Sequence, residues 1–572
     1  MTAVLGVLGV LSAVLPLGIA WAGKWIVDAV TAHDTQAALE AVGVELALIV
    51  GMAAVSRLAT LLWSLLGSRL SNEIHLQILG RAQELELKHF EDAAFYDRLV
   101  RARREASSRP LSVVTRTFGL GQNLLTLGGY AALLVAFSPW VVLLLAVAAV
   151  PAAIAEMRFG QQMFKLRNWR APETRRLNYL EHVLSSDKTA KEVQLLGLGP
   201  LLLGRYEKLA WSFYAEDKRH ATRRNAAVLG LSLIGTAAYY GSYGWMAWSA
   251  AAGALTLGQL TLYAVAFRQG QQAFQSVLGA ISGIYEDNLY MSNLFDFLRR
   301  DPPAIVDGAP VTLVTAAPPD TERGIRLVDV GFKYPGAERW ALRHIDLFVP
   351  AGQSLALVGH NGAGKTTFIK LLTGLYQATE GEVRIDGVEV RRWDPAVLRR
   401  RFAVVFQDFV QYQMPVFENV GVGDAAHLDD RERIGRAVER GGAEEVISAL
   451  PKGLDQPLGR WFDEGLELSG GQWQKLALAR SFMREDADFL ILDEPTAALD
   501  AQAEHRIFER FRQLAAGRTA ILISHRFPTV RMADRIVVID QGGIVELGTH
   551  DELIAAGARY AELFRLQASG YL

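Results

Sequence analysis

The chain of 572 residues contains no cysteine. That excludes disulfides, a thiol nucleophile, iron–sulfur clusters and cysteine-ligated zinc. Its eleven histidines form no HExxH or comparable ligand spacing, so no structural metal is expected. No charge dominates: 59 Lys and Arg face 61 Asp and Glu, a formal net charge of −2, and nothing global favours nucleic acid as a partner. Proline is missing between Pro16 and Pro110 and again between Pro200 and Pro302, so long helices can run there without a break.

What is abundant is apolar surface. Apolar residues make up 51% of the chain and charged residues only 21%, and the length calls for two or more domains. The surplus is concentrated in six runs, at about residues 3–30, 37–66, 118–137, 141–155, 226–250 and 257–285. The first is interrupted only by Pro16, Lys24 and Asp28; with no basic stretch before it, and at that length, it reads as a membrane helix rather than a signal peptide. The expected fold is that of a multidomain membrane protein, with an all-α six-helix transmembrane domain over residues 1–300.

Loop charge sets the orientation. The joints at 33–36, 138–139 and 250–256 contain no Lys or Arg, whereas 71–116 and 158–224 are rich in basic residues. The two basic segments are therefore expected in the cytoplasm, with both termini on the same side. A helix from about 37 to 90 would be roughly 80 Å long at ~1.5 Å per residue, well beyond the hydrocarbon thickness. Breaks at 91–96 and 184–187 read as elbows of such arms, docking the second domain; the alternative is solvated loops. Arg268, beside Gln269, Gln271, Gln272 and Gln275, lies well inside the sixth run and must face a bundle interior or a wet cavity. Arg57 lies nearer the cytoplasmic boundary, where it can snorkel.

Residues 301–320 are proline-rich and read as a linker. From 321 to 572 short β-type runs, at 324–330, 354–358, 381–385, 402–406, 489–492, 519–523 and 535–539, alternate with helical patterns, an α/β nucleotide-binding domain. Gly359-His360-Asn361-Gly362-Ala363-Gly364-Lys365-Thr366 follows an apolar strand and opens a helix, the context of a P-loop. Glycines let backbone N–H groups approach phosphate oxygens, Lys365 supplies a point charge, and Thr366, followed by Thr367, a hydroxyl for magnesium.

Further along, 489–492 form a buried strand ending in Asp493 and Glu494. Asp493 stands where a magnesium-organising aspartate belongs, and Glu494 where a base could take a proton from water. Leu468-Ser469-Gly470-Gly471-Gln472 opens another helix with exposed N–H donors suited to a γ-phosphate. Gln407 and His525 each follow a strand and could reach metal, water or phosphate; taken alone, each would more often be an ordinary loop residue.

A P-loop, a glutamine loop, LSGGQ, Asp493-Glu494, Ala498-Leu499-Asp500 and a histidine loop, in this order, resemble the ABC ATPases over residues 321–572. With six apolar runs ahead, the whole chain looks like a half-size bacterial ABC exporter of the type IV fold, an ATP hydrolase coupled to transport. The resemblance implies ATP and Mg²⁺ as cofactors, Tyr334 stacked on adenine, and Asp500 at a partner subunit. It also implies a composite site, with Lys365 and Glu494 of one subunit facing Ser469 and Gly471 of the other, hence a second half-transporter subunit. Every consensus residue is present, which favours a homodimer and permits a heterodimer. Membrane lipid is the other partner, and a bacterial inner membrane the expected location.

One departure is the segment Gly459-Arg460-Trp461-Phe462-Asp463-Glu464-Gly465, which keeps only the Glu-Gly end of the family's TxVGExG-like pattern. The segment Lys191-Glu192-Val193-Gln194-Leu195-Leu196-Gly197-Leu198 is similar to one recurring in peptide and lantibiotic-type exporters. The expected function is ATP-driven alternating-access export of a peptide, lipid or drug-like substrate. The alternatives are an exporter-fold importer of a small chelate and a non-transport ABC ATPase.

Overall fold

The computed structural model describes the chain except at residues 93–94, 96–98, 100–108, 300–304, 307–308, 311–312, 319–320, 495–508, 510–511, 514, 516, 525 and 569–572. The backbone divides into two compact units, Met1–Leu85 with Ala94–Arg300, and Glu86–Ala93 with Asp301–Leu572.

The first unit is helical. Thr2–Thr31 and Thr35–Glu84 are joined by a tight turn in which Asp34 caps the second helix by accepting from the Ala37 N–H at 3.0 Å. Arg109–Phe137 and Pro139–Trp169 meet at Ser138, Pro139 taking the first helical position, where a missing N–H costs nothing. Ala171–Ser185, Asp187–Leu195 and the 53-residue Gly199–Ala251 follow. Leu257–Leu298 opens with a capping box between Thr256 and Gln259.

Among the described residues, Thr2–Thr31, Thr35–Glu84 and Arg109–Phe137 are long and apolar enough to cross a membrane. The other three apolar runs lie inside Pro139–Trp169, Gly199–Ala251 and Leu257–Leu298. Leu46, Val147 and Trp248 stand exposed on these helices, a surface suited to lipid rather than water. Deep in the unit, the fully buried Asp287 accepts from Arg109 Nη1 at 2.8 Å and Ser112 Oγ at 2.5 Å, with Arg116 Nε 3.1 Å away. Arg268 is exposed on its helix, as are Gln269, Gln272 and Gln275, while Ala266, Phe267 and Ala273 of the opposite face are buried.

The first elbow differs from expectation. The long helix stops at Glu84 rather than near 90, because Leu85 and Glu86 are extended and a separate short helix, Leu87–Glu91, follows. Leu87 packs on the apolar core of the second unit, to which Glu86–Ala93 belongs. Of the anticipated elbow 91–96, residues 93, 94 and 96 lie outside the described residues. The second break falls at Ser186, an extended residue between Ala171–Ser185 and Asp187–Leu195.

The second unit is built on a six-stranded sheet in the order Gly543–Gly548, Arg535–Asp540, Ser354–Val358, Thr519–Ile523, Phe489–Asp493, Phe402–Val405, parallel except for the first pair. A four-stranded antiparallel sheet, Leu342–Pro350, Gly324–Phe332, Glu380–Ile385, Val388–Glu389, packs beside it. Five consecutive buried residues in each of Phe489–Asp493 and Thr519–Ile523 are what a parallel sheet covered on both faces requires. Two large apolar clusters fill the unit. One holds Phe368, Ile369, Leu371 and Leu372 behind the P-loop; the other holds Leu468, Trp473 and Leu476 behind the LSGGQ segment.

Candidate functional site

Four parallel strands deliver the site from their C-terminal ends. Register pairs Ile523 with Asp493 and with Leu357, and Val405 with Leu492. The chain therefore leaves all four strands on one edge of the sheet, where open α/β sheets hold their ligands. Gly359, Glu494 and Gln407 are the residues placed there; His525, next along from Ser524, lies outside the described residues, as does Asp500.

The P-loop joins Ser354–Val358 to the helix Lys365–Leu372. Gly364 caps that helix at φ +107, and a Cβ there would stand 2.6 Å from both the Ala341 carbonyl and Leu342. At Gly359 a Cβ would collide with the Ile539 carbonyl. Only glycine permits this close packing, which leaves the loop's N–H groups bare toward a phosphate. Gly362, at φ +82, completes the turn, with Asn361 exposed beside it. Lys365 Nζ donates to the Gly359 carbonyl at 2.8 Å and the His360 carbonyl at 3.1 Å. Burial pulls its pKa below the ordinary value, against the opposing pull of Glu494 and Asp493. Among the described residues, this buried ammonium makes its hydrogen bonds to loop carbonyls, a cation awaiting a stronger anion.

Thr366 Oγ1 donates to Asp493 Oδ2 at 2.9 Å, and Asp493 is only 1% exposed. Burial pushes the Asp493 carboxyl up, the Thr366 hydroxyl pulls it back, and neighbouring Glu494 raises it again. Glu494 sits at φ +48, a left-handed backbone costly for a residue with a side chain. Its N–H donates to the Ile523 carbonyl at 2.9 Å, and its Oε2 accepts from Gln407 Nε2 at 3.0 Å. The bend turns Glu494 out of the strand plane and into reach of the glutamine.

Tyr334, just beyond the strand Gly324–Phe332, shares a 2.9 Å hydrogen bond between its hydroxyl and Thr367 Oγ1. Its ring meets Phe332 and Tyr376 edge-on, with centroids 4.9 and 5.5 Å apart. Thus Tyr334, the P-loop residues, Asp493, Glu494 and Gln407 are brought together. Ser469, Gly470, Gly471 and Gln472 are not in this group. Ser469 and Gln472 form the capping box of the helix Gly470–Phe482, Ser469 and Gly470 are exposed, and the helix is rooted in the other apolar cluster. Residues that no motif pointed to also reach the site. Arg559 donates to His360 Nε2 at 2.7 Å, and Lys370 and Tyr376 of the P-loop side meet Glu91.

A membrane-helix unit joined to a P-loop ATPase unit defines an ATP-driven membrane transporter. The profile of the family described as ABC transporter matches residues 342–497. Over 496 residues the chain is 33% identical to the subtilin transport ATP-binding protein SpaT of Bacillus subtilis, covering 86% of this chain and 79% of that one. It is 30% identical to the nisin transport ATP-binding protein NisT of Lactococcus lactis subsp. lactis, over 87% and 82% of the two chains. An ATP-dependent lipid A-core flippase of Cupriavidus metallidurans is 42% identical over 252 residues, 44% of this chain and 42% of that one. In fold, a bacterial Atm1-family ABC exporter with ATP bound superposes with a TM-score of 0.80 at 24% identity, over 98% and 97% of the chains. The chain belongs to the ABC transporters, among the ABC exporters. It binds ATP and couples its hydrolysis to export across the membrane.

Proposed function

We propose that this exporter works as a dimer of half-transporters, with two composite ATP sites between the second units. The observation that carries this is the exposed N-terminus of Gly470–Phe482, where Ser469 and Gly470 are open to solvent and have no P-loop partner among the described contacts of one chain. In the composite site Lys365, the loop N–H groups of 359–367 and Tyr334 hold ATP from one subunit. Ser469, Gly470, Gly471, Gln472 and Asp500 close on it from the other. The homodimer is the favoured form, since each chain carries the full residue set; a heterodimer with an equally complete partner satisfies the same geometry.

A buried carboxylate beside a threonine hydroxyl is a donor set suited to a small hard cation. Thr366 and Asp493, with Gln407, would hold Mg²⁺, which supplies charge neutralisation at the β- and γ-phosphates. Glu494, bent toward Gln407, takes the proton of the attacking water, and His525 is the proposed second catalytic residue beside it in function. Residues 1–300, apart from the segment Glu86–Ala93 that belongs to the second unit, form the transmembrane domain, 301–320 the linker and 321–572 the ATPase domain. That unit and both termini lie in the cytoplasm of a bacterium, with the helices in its inner membrane and in contact with its lipid. Peptides are the favoured substrate class, because the relatives aligned over most of the chain are named for subtilin and nisin transport; lipid and drug-like molecules are the runners-up.

The test is ATPase activity of the purified chain in lipid nanodiscs, wild type beside Glu494→Gln. Turnover lost by about 10²–10⁴-fold with ATP binding retained supports the reading. Unchanged turnover in the variant removes Glu494 as the base, and an inactive, well-folded wild type replaces the homodimer by a heterodimer.

A further inference from the structure

The segment Glu86–Ala93 follows the long helix Thr35–Glu84 in sequence yet belongs to the second unit. Leu87 packs on the cluster that contains Phe332, Phe368 and Tyr376. Four residues on, Glu91 accepts from Lys370 Nζ at 2.9 Å and from the Tyr376 hydroxyl. Lys370 lies on the P-loop helix, and its ammonium stands 5.4 Å from the Tyr334 ring centroid and 5.6 Å from that of Tyr376. Tyr334 is tied by its hydroxyl to Thr367. Glu91, Lys370, Tyr334 and Thr367 therefore form one connected chain from the elbow to the first turn of the P-loop helix.

A lysine has a flexible stem and a strongly hydrated head, so a weak ring contact holds it better when a carboxylate also anchors its ammonium. Glu91 is that anchor. Burial opposes the charge on Glu91, but the Tyr376 hydroxyl and Lys370 hold its pKa below the ordinary carboxylate value. Burial likewise opposes the charge on Lys370, and Glu91 with Tyr334 holds its pKa above the ordinary value. Both groups are thus charged at neutral pH, and Tyr376, its pKa pushed up by burial and by Glu91, stays a donor.

We propose that Glu91 is a positioning residue for the nucleotide base: it pins Lys370 over Tyr334 and fixes the ring on which adenine stacks, so ATP affinity depends on the seating of segment 86–93. This rests on the reading of Tyr334 as the adenine platform and deepens it. Seating changes the binding of the base and leaves the phosphate machinery of Lys365, Thr366 and Asp493 alone.

The experiment measures KM and kcat for ATP with the full chain in nanodiscs, and inhibition by inorganic tripolyphosphate, a probe without a base. Glu91→Gln should raise KM for ATP about fivefold, the scale of a lost cation–π contact. It should leave kcat within about twofold and the tripolyphosphate inhibition constant unchanged. Glu91→Asp should recover most of the loss, and in a Tyr334→Ala background Glu91→Gln should add nothing. Lys370→Met, which spares the Glu91–Tyr376 bond, should reproduce the effect and serves if the Glu91 variant fails to fold. An unchanged KM in both variants overturns the proposal, as does a parallel shift in kcat or in tripolyphosphate inhibition, the mark of a merely structural contact. If Tyr334→Ala itself leaves KM untouched while the wild type hydrolyses ATP, the platform reading falls with it. If only the Glu91 and Lys370 variants are silent, the platform stands and the anchor falls.

Discussion

Thr366 Oγ1 and Asp493 Oδ2 lie 2.9 Å apart, joining the end of the P-loop to the end of a strand 127 residues later. Each is the other's hydrogen-bond partner, so each holds the other where a cation between them would sit. Thr366→Ala should therefore weaken magnesium-dependent hydrolysis and not metal-free nucleotide binding. The expected loss of turnover at fixed Mg²⁺ is about 10²-fold, partly recovered at higher Mg²⁺. A magnesium titration of ATPase activity checks this; a loss that no Mg²⁺ concentration repairs would separate Thr366 from the metal.

Asp493 predicts a pH dependence of stability. Its folded pKa lies above the ordinary 3.8, burial being the first cause. Between those two values the folded chain keeps a proton that the unfolded chain has lost, so stability falls as pH rises through that window. Asp493→Asn keeps an acceptor for Thr366 and removes the penalty. At neutral pH without nucleotide or Mg²⁺ the variant should melt about 1–4 °C higher than wild type. The two midpoints should converge toward acid pH, and the variant should have lost its ATPase activity. Equal midpoints at neutral pH would show that the carboxylate carries no such cost.

Gly364 predicts a steric effect. Its φ of +107 and the 2.6 Å approach of the Ala341 carbonyl leave no room for a methyl group. Gly364→Ala should destabilise the second unit by about 2–3 kcal/mol and open the P-loop. ATP binding, followed by a fluorescent analogue, should fall at least about tenfold. An unchanged affinity would mean that the loop is softer than its packing implies.

In the first unit the testable residue is Asp287. It is fully buried between Arg109, Arg116 and Ser112. Asp287→Ala should cost about 1–2 kcal/mol, because it removes the buried acceptor of Ser112 and of two guanidinium groups that keep part of their surface in solvent. The readout is the temperature at which the purified chain loses its monodisperse elution, which should fall. Asp287→Asn should fall less, since an amide oxygen still accepts from Ser112.

Much of this was legible before any coordinates. The P-loop, the strand ending in Asp493 and Glu494 and the helix opened by Ser469 declare themselves because strand, glycine and cap signals are local. The antiparallel strands Leu342–Pro350 and Gly543–Gly548 lie outside the expected β-type runs, although the first alternates in its buried Ile345, Leu347 and Val349. The stop at Glu84 is not written in helix propensity; Leu87, three residues on, packs on a core built from residues far along the sequence. Nor could spacing disclose Glu91 and Lys370, which are 279 residues apart and meet only through folding. His525 and Asp500, both readable as motif members, lie outside the described residues.

The second unit is discontinuous in sequence, and that governs how such chains can be recombined. Cutting at residue 300 would strip it of Glu86–Ala93, baring the apolar seat of Leu87 and leaving the Lys370–Glu91 and Tyr376–Glu91 bonds unmade. A chimera that exchanges ATPase domains between two exporters at the linker therefore pairs each domain with a foreign elbow. The exchange that preserves the native fold moves two segments at once, the long C-terminal one and eight residues from near position 90.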